Sequence, residues 1–173
     1  MCFSAIMHPV SFARLKKKLK SAEKEAWDAA FALRENRKET AEKLSGRILT
    51  ELAQLDMPKV RFQVEFEALA GETGLDTNGM DQVQFLMSAN VGEELKPIHK
   101  IASGGELSRI MLAMKGVLAE GDKVESLVFD EIDTGVSGRA AQKVAEKLRS
   151  VAKSQQVLCV THLPQLAALA STH

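Results

Sequence analysis

Cysteine is scarce in this sequence, and long apolar runs are absent. The 173 residues include two cysteines, Cys2 and Cys159, which are too few for a disulfide framework or a cysteine-based metal site. No stretch reaches the roughly 20 apolar residues that a membrane-spanning helix needs. The N-terminus lacks the basic start and apolar stretch of a signal peptide. We therefore expect a cytoplasmic protein that has no membrane partner.

An excess of charge of one sign is also absent, because 23 basic residues (Lys and Arg) balance 23 acidic ones (Asp and Glu). The distribution is nevertheless uneven. Residues 11–47 hold eleven basic and six acidic side chains, whereas the remainder holds twelve basic and seventeen acidic ones. Residues 11–47 are therefore basic and the remainder is acidic. Electrostatic attraction favours contact of the basic segment with nucleic acid.

Proline is missing from residues 11–57, which we predict to be one coiled-coil helix; residues 1–10 before it are unpatterned. Apolar residues spaced alternately three and four apart form a heptad seam. The seam begins with Phe12, Leu15, Leu19, Ala22, Ala26, Ala29 and Leu33. Such a helix would extend roughly 65–70 Å at 1.5 Å per residue. An amphipathic helix packed on a globular body is the alternative, but this length favours one strand of an antiparallel coiled coil.

Residues 58–173 are predicted to form an α/β lobe that begins with a β-hairpin. Apolar residues that alternate with polar ones indicate two strands. They are Val60, Phe62, Val64 and Phe66 in the first strand and Val83, Phe85 and Met87 in the second. Gly, Asp and Asn in residues 71–79 favour a turn between the two strands.

After the hairpin, helices and apolar strands alternate along the chain. A helix is predicted after residues 103–105, a buried strand at 124–129, a helix after Ser137 and a second buried strand at 157–160. This alternation favours a parallel sheet with right-handed crossovers. Ligands of such sheets bind at the carboxyl ends of the strands, and acid–base residues follow both strands here.

Ser103, Gly104 and Gly105 precede the first of these helices. A serine and two glycines at a helix N-terminus expose backbone N–H groups at the positive end of the helix dipole, which is an arrangement that binds phosphate. The alternative is an ordinary N-cap followed by a flexible glycine pair. This stretch alone does not decide between the two.

Asp130 and Glu131 follow the apolar strand that ends at Phe129. Two acids at the carboxyl end of an apolar strand form the Walker B pattern, in which the first acid holds Mg²⁺, usually through water, and the second polarises the attacking water. A strand that merely meets an acidic loop is the alternative.

Two further features follow downstream. Glycine-containing residues 132–138 indicate either a tight turn or a loop that feeds the next helix. His162 ends the second apolar strand, where it is either a structural histidine or a contact for a γ-phosphate. Each feature alone is a weak signal, but their order and spacing together are informative.

That order resembles the signature, Walker B, D-loop and H-loop series of ABC-type ATPases. The matching residues are Ser-Gly-Gly-Glu at 103–106, Asp-Glu at 130–131, Asp-Thr-Gly at 133–135 and Thr-His at 161–162. The longer stretches 102–109, 129–138 and 161–165 resemble the RecN family of SMC-like bacterial DNA repair ATPases. The resemblance extends from about Ser11 onward. It implies an α/β fold, the C-terminal lobe of an ABC/SMC-type P-loop ATPase head carrying a long N-terminal coiled-coil helix.

The resemblance also implies a role for each residue. ATP bound on an opposing head would be contacted by Ser103, Gly104, Gly105 and Glu106. The remaining roles would be Mg²⁺ binding for Asp130, general base for Glu131, the head–head seam for Asp133 and sensing of the γ-phosphate for His162. ATP and Mg²⁺ are thus the implied cofactors. DNA and a second head in a homodimer are the implied partners, in double-strand-break repair and recombination at the bacterial nucleoid.

A P-loop is absent from the sequence, since Gly-x-x-x-x-Gly-Lys-[Ser/Thr] occurs nowhere in the 173 residues. We expect this Walker A motif to lie on a separate N-terminal lobe, and we expect the chain by itself not to hydrolyse ATP. Two alternatives remain. One is a fragment of another ABC-type ATPase, such as a transporter subunit, against which the long helix argues. The other is a non-catalytic coiled-coil interaction module.

Overall fold

The computed structural model describes residues 9–71, 73–90, 92–100, 104–118 and 124–172, with side chains from Phe12 onward within these ranges. The chain divides into two compact units. One consists of the chain up to Thr40 together with Phe66–Gln82, and the other of Ala41–Glu65 together with the chain from Val83 onward.

Helix α1 spans Pro9–Gln54 and contributes residues to both units. Proline suits a first helical turn because its missing N–H is not needed there. The helix ends in a Schellman motif, in which Asp56 adopts a φ of 63° and the N–H of Met57 donates to the carbonyl of Leu52 over 2.9 Å. The observed helix begins and ends slightly earlier than the sequence predicts.

Strands β1 (Arg61–Ala68), β2 (Asp81–Ser88) and β3 (Lys96–Pro97) form a sheet in the order β1-β2-β3. β2 and β3 are antiparallel, with Leu86 opposite Pro97. A 3₁₀ turn follows β3. The predicted strands are therefore present in this part of the chain.

The burial pattern of β2 does not follow the alternation of its apolar residues. Val83 and Phe85 are exposed, although Met87 is buried. Leu86, Met87 and Ser88 are instead buried in succession. Consecutive burial is typical of a strand that is covered on both faces, and it is set by neighbours that a local pattern does not reveal.

In the first unit, the loop between β1 and β2 packs against α1. Arg37 donates from Nη1 to the carbonyl of Asn78 over 2.8 Å. Nη2 of Arg34 lies 3.1 Å from Oδ1 of Asp81, whose side chain is almost completely buried. These contacts hold the loop and the start of β2 against the helix.

The predicted heptad seam is largely exposed in this unit. Phe12, Leu15 and Leu19 are all more than half exposed, whereas Ala30 is buried. The coiled coil thus stays a prediction, and the apolar side chains that it would cover lie at the surface.

The core of the second unit is built from α1, β1, β2 and the α/β elements that follow. These elements are α2 (Gly104–Leu118), β4 (Ser126–Phe129), α3 (Gly138–Val151), β5 (Gln156–Cys159) and the short helix α4 (Pro164–Ala167). The largest fully buried side chains are Ile48, Leu52, Leu55, Met87, Ile110, Leu112, Ile132 and Val144.

Strands β4 and β5 are parallel, with Phe129 opposite Cys159 and Val128 opposite Leu158. Along β4, Leu127 and Phe129 are buried in the core, because residues two apart in a strand share a face. The other face is open: Val128 is 69% exposed and Leu158 is 52% exposed.

The predicted α/β class, with a parallel sheet and a long N-terminal helix, is confirmed. Among the described residues, no helix combines the length and the apolar character that crossing a bilayer requires.

Candidate functional site

The carboxyl ends of β4 and β5 lie side by side. Phe129 is opposite Cys159, and the N–H of Val160 donates to the carbonyl of Phe129 over 2.9 Å. The residues that leave the two strands are Asp130 and His162 with their neighbours, so the structure brings these two predicted sites to one edge of the sheet.

Asp133 links the two strand ends through its carboxylate. The residue is buried, with 4% of its surface exposed. Its Oδ2 accepts a hydrogen bond from the hydroxyl of Thr161 and another from the backbone N–H of His162 over 2.9 Å. Burial alone raises the pKa of the Asp133 carboxyl, but the bonds from Thr161 and His162 outweigh it, and the net pKa is lowered. Asp133 is therefore ionised at neutral pH.

The imidazole of His162 is oriented by the same carboxylate. Its Nδ1 lies 3.2 Å from Oδ2 of Asp133, and 75% of the side chain is exposed. A carboxylate beside Nδ1 favours a proton on that nitrogen, which leaves Nε2 as the nitrogen for a ligand. Asp133 thus holds the Nδ1 side of the ring, and most of the side chain is accessible to a ligand.

Glu131 begins a tight turn immediately after β4. Its φ is 57°, a left-handed conformation that non-glycine residues seldom adopt. Its N–H donates to Oδ1 of Asp130 over 2.8 Å, and its carbonyl accepts the N–H of Thr134 over 3.0 Å. The bond between residues 134 and 131 closes this turn at the strand end.

The glycine pair at the start of α2 packs against this turn. A β-carbon added at Gly105 would lie 2.8 Å from Cβ of Thr134 and 3.0 Å from the carbonyl oxygens of Glu131 and Thr134. A β-carbon at Gly104 would collide with Oε2 of Glu131. The missing side chains therefore allow the N-terminus of α2 to approach the loop 131–134, and the Glu131 carboxylate lies beside that helix end.

Two polar residues one turn further along α2 hold the same loop. The hydroxyl of Ser108 donates to the carbonyl of Asp130 over 2.7 Å. Nη1 of Arg109 donates to the carbonyl of Thr134 over 2.9 Å and lies 3.4 Å from that of Ile132. Helix α2 is thereby bonded to the loop after β4 at three carbonyls.

The remaining predicted site residues are Asp130, Glu106 and Ser103. Asp130 is exposed at the strand end, and Glu106 is half-buried in the first turn of α2. Ser103 lies outside the described residues. The part of the chain that the structure describes contains no group of three His, Cys, Asp or Glu side chains that could hold a metal ion.

Asp130 is an exposed carboxylate that belongs to no such group. One carboxylate suits Mg²⁺, which keeps several waters and takes its other ligands from phosphate oxygens. This carboxylate fits Mg²⁺ bound together with a nucleotide, since the described residues hold no set of side chains that would bind a metal ion by themselves.

Sequence reasoning missed the roles of Thr161, Thr134 and Arg109. Thr161 and Arg109 stand inside the motif stretches, but no local pattern pairs them with Asp133 or Thr134. The sequence does indicate a role for Arg109, because an arginine that is buried within the apolar run of α2 needs hydrogen-bond acceptors for its guanidinium.

No family model matches the chain. The DNA repair protein RecN of Halalkalibacterium halodurans is 50% identical over 143 residues, which cover 82% of this chain and 25% of that protein. The DNA repair protein RecN of Bacillus subtilis is 46% identical over 171 residues, with 92% of this chain and 30% of that protein covered. The chain thus spans about a quarter to three tenths of the length of these relatives.

Solved structures show the same fold at low sequence identity. The Smc head domain with a coiled coil and joint from Pyrococcus yayanosii matches with a TM-score of 0.53 and 20% identity, covering 92% of this chain and 31% of that one. The chain is therefore homologous, over most of its own length, to part of the RecN DNA repair proteins, and its fold is similar to part of the structure of an Smc head domain with its coiled coil.

Proposed function

We propose that this chain is the C-terminal lobe of an SMC-like ATPase head that acts in DNA double-strand-break repair and recombination. It would supply the signature, Walker B, D-loop and H-loop residues for ATP-dependent engagement of two heads. The observation that carries this proposal is the convergence at one sheet edge of Asp130, Glu131 and His162, with the glycine pair of α2 packed against the loop between them.

The chemistry of the edge supports a division of roles. Mg-ATP bound there would supply an electrophilic γ-phosphate whose developing charge the metal offsets. Asp130 is the exposed carboxylate suited to the metal, and Glu131 is the carboxylate suited to accept a proton from water. His162 offers Nε2 while Asp133 holds its Nδ1 side. Asp133 would reach the head–head seam through its loop, because its carboxylate is engaged within its own chain.

The P-loop would come from a separate Walker A lobe. The open face of the parallel sheet supports this, since Val128 and Leu158 are neighbours on it and both are largely exposed. Apolar faces of parallel sheets are ordinarily covered on both sides. The proposed N-terminal lobe would therefore pack on this face.

DNA and a second, identical head are the other proposed partners. The names of the relatives support the DNA repair context, and the excess of basic side chains in residues 11–47 supports contact with a polyanion. The proposed site of action is the bacterial cytoplasm, at the nucleoid.

A chimera tests the proposal. The matched stretch of the Bacillus subtilis relative is replaced by this chain, and steady-state ATP hydrolysis is measured for the chimera and for the 173-residue chain alone. We expect magnesium-dependent turnover by the chimera and none by the chain alone, because the P-loop supplies most phosphate contacts. A folded chimera that binds no ATP, or equal turnover by the chain alone, would overturn the proposal.

A further inference from the structure

Arg109 is a buried cation that makes its bonds to backbone carbonyls. It is 9% exposed on α2, and its Nη1 lies 2.9 Å from the carbonyl oxygen of Thr134 and 3.4 Å from that of Ile132. Burial lowers the pKa of Arg109, although the charges of Glu106 and Asp56 act in the opposite direction. Burying a charge costs free energy unless the charged group is hydrogen-bonded, so these carbonyl contacts have to offset the cost of burying the Arg109 guanidinium.

Arg109 joins helix α2 to the loop 131–134, and these two elements carry different parts of the proposed site. Helix α2 begins with the glycine pair of the proposed signature, which would contact ATP on the opposing head. The loop 131–134 carries Glu131 and Asp133, which would act on ATP of their own head. Close packing of Gly105 on Thr134 leaves little space for the two to move independently.

We propose that Arg109 is a positioning residue that couples α2 to the loop 131–134, so that contact of a nucleotide with the start of α2 sets the placement of Glu131. This inference rests on the proposed ATPase function. In an engaged pair of heads, the nucleotide of the opposing head would contact the signature at the start of α2. The contacts of α2 with the loop 131–134 would then set the position of the general base in the same head as that signature.

The planar guanidinium is what makes this coupling specific. Both contacts come from Nη1, whose two N–H bonds are fixed in the guanidinium plane and point at different carbonyl oxygens, whereas a lysine ammonium is a compact, strongly hydrated point charge. Arg109→Lys therefore keeps the positive charge but removes the planar arrangement of N–H donors. Arg149→Lys on the exposed side of α3 is the matched control.

The first test needs no ATPase activity and uses amide hydrogen exchange of the complete 173-residue chain. The amides of Thr134 and Val136, which bond to the carbonyls of Glu131 and Asp133, should exchange about five- to tenfold faster in Arg109→Lys. The amide of Val160, which bonds to Phe129 in the sheet, should be unchanged. Equal acceleration at Val160 would indicate general loosening, and no acceleration at Thr134 would show no coupling; either result overturns the proposal.

The second test measures kinetics in the chimera described above. Arg109→Lys should lower kcat about 10- to 100-fold while KM for ATP stays within about twofold, because misplacing a catalytic group acts on the chemical step. Arg109→Ala should recover part of its kcat when millimolar guanidinium is added, but not with sodium chloride of equal ionic strength.

The outcomes of the two tests separate the two hypotheses. An inactive wild-type chimera would overturn the proposed function, and the exchange experiment would still decide the coupling. Turnover by Arg109→Lys equal to that of wild type would overturn the positioning role while leaving the proposed function intact. Should Arg109→Ala fail to fold, the lysine variant carries the test alone.

Discussion

Asp133 holds His162 at two points. Its Oδ2 accepts the backbone N–H of His162 over 2.9 Å and lies 3.2 Å from the imidazole Nδ1. The same oxygen accepts the hydroxyl of Thr161. A single buried carboxylate thereby fixes the loop after β4 to the end of β5 and sets the orientation of the histidine ring.

Acid should weaken the fold through Asp133, and Asp133→Asn should remove that dependence. The folded pKa of Asp133 is lowered, so its contribution to stability is present above the unfolded pKa of about 3.9 and is lost as the pH falls through the folded value. At pH 7, Asp133→Asn should lower the free energy of unfolding by about 1–3 kcal/mol.

Urea unfolding of both chains from neutral to acidic pH measures this difference. The gap between wild type and Asp133→Asn should shrink as the pH falls below about 4. Asp28→Asn, at an exposed position of α1, is the control and should follow wild type. A gap that is constant with pH would contradict the assigned ionisation.

Gly105→Ala should destabilise the chain by about 1–3 kcal/mol, because its β-carbon would press on Thr134 and on two backbone carbonyls. Gly104→Ala should cost less, since its obstacle is the mobile end of the Glu131 side chain. Gly46→Ala is the matched control: a β-carbon there meets nothing within 4 Å. It should stabilise α1 by about 0.5–1 kcal/mol. Chemical denaturation gives all three values, and equal values for Gly104 and Gly105 would refute the packing argument.

Much of this architecture follows from local sequence patterns. The alternation of helices with apolar strands predicted a parallel pair, and parallel strands bring their carboxyl ends to one edge. The two strand ends that Asp130 and His162 follow therefore lie at one edge of the sheet, although these residues are separated in the chain. The uninterrupted run without proline likewise predicted α1.

Features that depend on distant neighbours were not predictable. The inward turn of Asp133 depends on Thr161, which lies on another strand end, and the contacts of Arg109 depend on how α2 meets the loop after β4. The exposure of Val83 and Phe85 is a third case, because alternation indicates a strand but does not say which face is covered.

The ion pair of Arg34 with the buried Asp81 in the first unit should be needed as a pair. Within the described residues no hydrogen bond reaches the carboxylate oxygens of Asp81, so the Arg34 guanidinium 3.1 Å away is what compensates its charge. Asp81→Ala should cost about 1–3 kcal/mol, because Arg34 is left partly desolvated. Replacing both residues, as Arg34→Met with Asp81→Leu, should recover most of that loss.

A double-mutant cycle from denaturation curves gives the coupling energy of this pair. The exposed pair of Lys38 and Glu35, 2.9 Å apart, is the control and should couple by less than about 1 kcal/mol. A coupling energy for Arg34 and Asp81 no larger than that of the control would show that the buried pair is dispensable.

Lysines placed on the open sheet face should leave the chain folded but prevent the Walker A lobe from packing on that face. In the chain alone, Val128→Lys with Leu158→Lys should lower the unfolding free energy by no more than about 1 kcal/mol, because both positions are exposed and the cost is that of like charges on paired strands. In the chimera the same pair should abolish ATP hydrolysis, since two lysines would be buried against the Walker A lobe. Val83→Lys, at an exposed position of β2, should leave turnover unchanged. Full activity of the double variant would place the lobe elsewhere.

The most direct test of the proposed function is Glu131→Gln in the chimera, with ATP binding and ATP turnover measured on the same preparation. Glu131 is proposed to act on the attacking water, while Asp130 and the P-loop hold Mg-ATP. Binding should therefore be retained, and turnover should fall by about 10²- to 10⁴-fold, the usual worth of general-base assistance. Unchanged turnover, or loss of ATP binding, would contradict the role assigned to Glu131.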